Sequence, residues 1–151
     1  MKTIYYAALS LLLSFLTIAA QSQDKTESKS FGEFPSIIQC DNDQLLNCFN
    51  AEEGKTVTLS FSDQFSLKGN VVSNVWKYKT MQVVIIRSSN FDNTLFKIVK
   101  QSVENNTILL SGRILQQGGP EGYRMTTDSK GNYLLEKYDT RQLVQDCYTA
   151  Q

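Results

Sequence analysis

Hydrophobic and polar positions change their period several times along the chain. Positions 4–18 are almost wholly apolar, with Leu9-Ser10-Leu11-Leu12-Leu13 at their centre, and positions 21–30 are polar, rich in Ser, Lys and Gln, and aperiodic. Leu45, Cys48 and Phe49 then recur at helical spacing, one stripe of a short helix. Asp41-Asn42-Asp43 supplies its N-terminal cap and Gly54 stops the chain just past it. From Lys55 onward the period is two. Val57, Leu59 and Phe61 alternate with Thr and Ser, and Phe65, Leu67, Gly69 and Val71 alternate with Ser66, Lys68 and Asn70. Such alternation predicts half-buried strands. Residues 81–86 are apolar on both faces and predict a central strand. Leu95, Phe96, Ile98 and Val99 mark a fourth strand, 108–115 a fifth, and 123–127 and 133–138 a sixth and seventh, while 141–147 reads as strand or helix. Gly112 signals a bulge or a close backbone approach. The interior is assigned to Val57, Leu59, Phe61, Leu67, Val71, Val83, Ile85, Phe96 and Ile98.

The connections are short and made of turn residues, such as Ser62-Asp63-Gln64, Ser88-Ser89-Asn90 and Glu104-Asn105-Asn106. This predicts a mainly β chain: a single antiparallel meander of about seven strands, closed as a barrel or folded as a sandwich, with one short N-terminal helix. Lys2, the apolar run and the small residues Ala19-Ala20-Gln21-Ser22 predict a secretory signal peptide over residues 1–20. The run is too short for a spanning helix, which needs ~20 apolar residues. Residues 21–30 are then a flexible leader and 31–151 one domain, secreted or periplasmic. No Cys follows the apolar run closely enough to accept a lipid. The architecture resembles lipocalin-like barrels and their protease-inhibitor relatives. The Gly-x-Trp of the first lipocalin strand is absent, since Trp76 follows Asn74-Val75, and no family is claimed.

Fifteen basic residues balance 15 acidic ones, so no overall field attracts nucleic acid. The charges are nonetheless segregated. Residues 31–54 hold Glu33, Asp41, Asp43, Glu52 and Glu53 with no cation. Residues 55–100 hold Lys55, Lys68, Lys77, Lys79, Arg87, Lys97 and Lys100 against Asp63 and Asp92. The basic stretch reads as an anionic-ligand surface, as a Lys-rich wet face that discourages edge pairing, or as a face neutralised by the acidic helix. Histidine is absent, which removes Ser–His–Asp and Cys–His catalysis and the usual zinc sites. The three cysteines do not complete an all-sulfur metal site. No catalytic, metal or cofactor residues are assigned.

In an exported protein three cysteines predict one disulfide. Cys48–Cys147 is preferred, because Cys48 lies on the apolar helix stripe and the bridge would close about 100 residues, worth up to about 4.7 kcal/mol by chain entropy. Cys40–Cys147, Cys40–Cys48, or three reduced thiols, are the alternatives. Trp76-Lys77-Tyr78-Lys79 interleaves rings with cations at a strand end and is the candidate ligand surface for a sugar or base. The flexible-looking segment 116–123 lacks the Gly-Lys-Ser/Thr of a phosphate loop, and Asp128-x-Lys130-Gly131-Asn132 lacks the ligand set of a calcium loop. Asp63, Asp92, Glu104 and Asp128 all fall in turns, so a hydrolytic carboxylate pair is disfavoured. The expectation is a small secreted non-catalytic binding module for a protein or an anionic surface polymer. A lipocalin-like carrier of a small apolar ligand is one alternative. An inhibitor of a secreted hydrolase, using 88–94 or 116–123 as its inserted loop, is another.

Overall fold

The computed structural model describes residues 31–141; the predicted signal peptide and leader, residues 142–147 and Cys147 lie outside them. Eight antiparallel strands form one curled sheet, a half-barrel. They are β1 (Ile37–Gln39), β2 (Thr56–Ser60), β3 (Ser66–Tyr78), β4 (Met81–Ser88), β5 (Thr94–Ser102), β6 (Ile108–Gln116), β7 (Glu121–Thr127) and β8 (Tyr133–Asp139). β2 to β8 lie side by side in chain order, and β1 adds to the far side of β8. The prediction of a meander therefore stands, as a single sheet and not a two-sheet sandwich. The additional strand, β1, has only three residues, too few for a period to be read from sequence.

The helix α1 (Asn42–Asn47) and a following 3-10 turn, Cys48–Asn50, carry the chain from β1 to β2, the two edges of the sheet. Asp41 caps α1, its Oδ1 accepting from the amides of Asp43 at 2.8 Å and Gln44 at 3.3 Å. Gln44 Oε1 accepts from the Ser60 amide at 2.7 Å, so a helix side chain occupies a β2 edge donor. Leu45, Cys48 and Phe49 are all buried in the core, as their stripe predicts.

The concave face is filled by aromatic rings. Phe65 is fully buried and its ring centroid lies 5.0–6.3 Å from those of Phe31, Phe34, Phe61, Phe91 and Tyr123. Lys137 pins the N-terminal segment over one end of this core, donating to the Phe34 carbonyl at 2.8 Å. On β4 the interior assignment of Ile85 is corrected: Val84 and Ile86 belong to the main core, Ile85 is half-buried on the convex face, and Val83 is buried on that face outside the main cluster. With both faces of 81–86 apolar, the period could not choose a side. The choice is made by Gln82, which points inward because its Nε2 reaches the Phe49 carbonyl at 2.9 Å and Asn74 Oδ1 at 2.8 Å.

Asn74 faces Gln82 from β3 and donates to the carbonyls of Phe49 (3.0 Å) and Ala51 (2.8 Å). These two amides tie the 3-10 turn to the sheet. Asn74→Ala should cost about 1–3 kcal/mol, since it strips partners from half-buried and buried polar groups; urea unfolding measures the loss. Gly112 is a close approach and not a bulge: its register with Ile98 is regular, and a Cβ there would lie 2.8 Å from the Lys97 carbonyl oxygen.

Candidate functional site

The strand register gathers cations that are far apart in the chain. Lys97 on β5 stands opposite Arg113 on β6, Arg113 opposite Arg124 on β7, and Arg124 opposite Glu136 on β8. All face outward, because their neighbours Phe96, Ile114, Tyr123 and Leu135 are fully buried on the concave side. Adjacent strands are ~4.8 Å apart, and like charges directly opposite each other destabilise a sheet. Only Arg124 is compensated here: its Nη2 and Nε lie 3.0 and 3.1 Å from Glu136 Oε2. Among the described residues Lys97 and Arg113 make no ion pair.

The two structural explanations for a basic face do not apply to this row. Lys97, Arg113 and Arg124 lie on interior strands, so they guard no edge. The acidic segment with α1 packs through Leu45 and Phe49 into the opposite, concave face and leaves the row uncovered. Tyr138 lies beside the row, with its ring over Gly122, where a Cβ would meet Tyr138 ring carbons at 3.3 Å. Its hydroxyl is buried without a hydrogen-bond partner. Burial pushes the phenol up, against the opposing pull of Arg113 and Arg124, so it keeps its proton and remains a donor at neutral pH.

A groove borders this row at the end of the sheet formed by the 88–94 and 116–119 loops. It encloses about 650 Å³, and its lining includes Arg87, Leu95 and Leu115. The loops are locked together: the Gln117 amide donates to the Asn93 carbonyl at 2.9 Å, Gly119 to Gln116 at 3.0 Å, and Thr140 Oγ1 to the Gly119 carbonyl at 2.9 Å. Ser88 Oγ accepts from the Phe91 amide, and Asn90 Nδ2 donates to the Ser66 carbonyl, fixing the other wall. The segments expected to project as loops are therefore the walls of a concavity.

Trp76, Lys77, Tyr78 and Lys79 lie at the opposite end of the sheet, all exposed. Trp76 is 58% and Tyr78 70% exposed. Trp76 pairs with inward Gln82 and Tyr78 with Met81, the register shifting between them. The rings accordingly fall on opposite faces and do not form one flat platform. Trp76 instead flanks Lys100, whose Nζ lies 5.4 Å from its ring and 4.9 Å from that of Phe49. Of the seven basic residues noted between 55 and 100, Arg87 lines the groove and Lys97 stands in the row.

Cys40 and Cys48 are both buried and not bonded to each other. Burial pushes both thiols up to about 12, so they stay protonated and unreactive at neutral pH. The proposed partner of Cys48, Cys147, lies outside the described residues. Asp63 and Asp92 sit in turns at one end of the sheet, and Glu104 and Asp128 at the other. Asp128 organises its own turn, accepting from the amides of Lys130 and Asn132 and from Asn132 Nδ2, bonds that hold its carboxyl below the usual range. No group of three or more candidate metal ligands occurs among the described residues. Comparison with protein families, curated proteins and solved structures returns no match.

Arg113 and Arg124 were missed by sequence reasoning. Each is an ordinary outward residue of its own strand, and only the cross-strand register reveals that they stand together.

Proposed function

We propose that this is an exported, non-catalytic recognition protein whose convex face holds an anionic surface polymer along the Lys97, Arg113 and Arg124 row. The observation that carries the reading is the in-register stack of three cations on interior strands, of which only Arg124 has an ion-pair partner among the described residues, an arrangement that costs stability and has no evident structural return. The row runs across the strands at intervals of ~4.8 Å, which suits a polymer carrying repeated acid groups. The apolar run at positions 4–18 supports export, and for an exported protein an extracellular polymer is a more natural ligand than nucleic acid. Carriage of an apolar ligand within the barrel is less well supported, because the concave side is filled with rings. Insertion of a loop into a hydrolase is also less well supported, because both candidate loops wall a groove.

The test is titration with polygalacturonate and with dextran sulfate, using neutral dextran as the control. At least one polyanion should bind, with an affinity that falls linearly on a logarithmic salt scale, as counterion release requires. Lys97→Ala with Arg113→Ala should weaken binding and flatten that slope. Equal binding to neutral dextran, or no binding to either polyanion, would sink the proposal.

A further inference from the structure

We propose a second ligand site: the groove between the 88–94 and 116–119 loops holds the aliphatic part of an amphipathic anion, with Arg87 taking its acid group. This inference uses none of the three cations of the polymer row and stands or falls separately from that reading.

The groove floor is written in the register. Arg87 on β4 stands opposite Leu95 on β5, and Leu95 opposite Leu115 on β6. Moving across the sheet, a cation is followed by two leucines, and then by Gly122 on β7, opposite Leu115, over which the Tyr138 ring lies. The sequence of surfaces is therefore charge, apolar, apolar, aromatic. Leu95 is 40% exposed although it lies on an interior strand. Arg87 is exposed and makes no ion pair among the described residues.

The volume, about 650 Å³, lies within the ~300–1,000 Å³ typical of small-molecule sites. Both walls are fixed by the loop hydrogen bonds described above, so little ordering cost remains to be met on binding. Charge decides the ligand class. Among the described residues Arg87 is the single cation of the lining and is in register with the leucine floor. Asp92, the single carboxylate among them, sits on the loop wall, out of that register. A ligand lying along the leucines thus presents one end to Arg87, and that end is anionic. Its chain is aliphatic, whether it belongs to a free fatty acid or to the acyl part of an anionic lipid.

Calorimetric titration of the protein with decanoate, below its micelle concentration, tests this, with decanol and decylammonium as neutral and cationic controls. Phosphatidylglycerol vesicles form the second arm. Saturable decanoate binding identifies the free acid as a sufficient source; vesicle binding without decanoate binding identifies the lipid. In either arm Arg87→Glu and Leu95→Gln should each reduce affinity by about tenfold or more; Lys97→Ala with Arg113→Ala should leave decanoate affinity unchanged, and the vesicle arm is run in that double variant so that the polymer row does not hold the anionic surface. Arg87→Gln, which keeps the stem and removes the charge, should also lose affinity, though less than Arg87→Glu, which adds a repelling carboxylate. Near-ultraviolet dichroism confirms that each variant is folded. Absence of binding in both arms would overturn the proposal, as would decanol or decylammonium binding as tightly as decanoate, or Arg87 variants that bind normally.

Discussion

Phe65→Ala should lower the unfolding free energy by about 3–5 kcal/mol, the range for deleting a buried aromatic ring. Phe65 leads the turn between β2 and β3 back into β3, and its ring packs against side chains from four separate parts of the chain. Phe31 and Phe34 belong to the N-terminal segment, Phe61 and Phe91 to the β2–β3 and β4–β5 connections, and Tyr123 to β7. The void left by alanine cannot be closed by one neighbour, because those neighbours are anchored elsewhere. Tyr123, for example, donates its hydroxyl proton to the Pro35 carbonyl at 2.8 Å. Against a typical total stability of about 5–15 kcal/mol, the loss is a large fraction of what holds the fold. Urea denaturation followed by tyrosine and tryptophan fluorescence measures it. Phe65→Leu, which fills most of the space, should cost clearly less, and equal losses for the two variants would show that the cluster is not packed as described.

The strands were legible in sequence wherever one face is polar. Val57 to Val71 announce their inward side because Thr, Ser, Lys and Asn alternate with them. Legibility failed where that contrast disappears. Residues 81–86 are apolar on both sides, and the inward choice rests on Gln82, a polar residue buried by its bonds to Phe49 and Asn74. It also failed at β3, whose thirteen residues change register near Val72 and again near Lys77. Each irregularity reverses the sides, so an unbroken period of two could not be followed through to Tyr78. The second one divides Trp76 from Tyr78, which adjacent sequence had placed together.

The candidate site was the least legible part, for a different reason. Charge composition located a basic stretch between 55 and 100, yet a binding face depends on which residues stand beside each other across strands. Lys77 and Lys79 are near Trp76 in sequence and lie at the far end of the sheet from the groove. Arg113 and Arg124 lie beyond the basic stretch and complete the row with Lys97. No period or local motif contains that information; it resides in hairpin lengths and register. Similarly, 88–94 and 116–119 could be recognised singly as loops from their Gly, Asn and Ser content, whereas their joint role as walls depends on β5 and β6 pairing along nine residues, from Thr94↔Gln116 to Ser102↔Ile108.

Arg113→Glu is expected to separate stability from function. It places a carboxylate between Lys97 and Arg124, converting two like-charge oppositions into two favourable ones, each worth about 0.2–1 kcal/mol in a cross-strand pair. Exposure and salt reduce that gain, so the thermal midpoint should hold steady or rise slightly at low ionic strength and show little change at high salt. Polyanion affinity should fall in the same protein by about tenfold or more, because one cation is lost and an anion is put in the middle of the row. Most substitutions that impair binding by damaging a fold lower both quantities together. Here the two are expected to diverge, and the divergence identifies the row as a surface maintained for a ligand and not for the sheet. Differential scanning calorimetry and polygalacturonate or dextran sulfate titration on the same preparation provide both readings. A destabilised variant, or one that keeps full affinity for the polyanion bound by the unmodified protein, would mean that Arg113 serves the fold and that the anionic partner is held elsewhere.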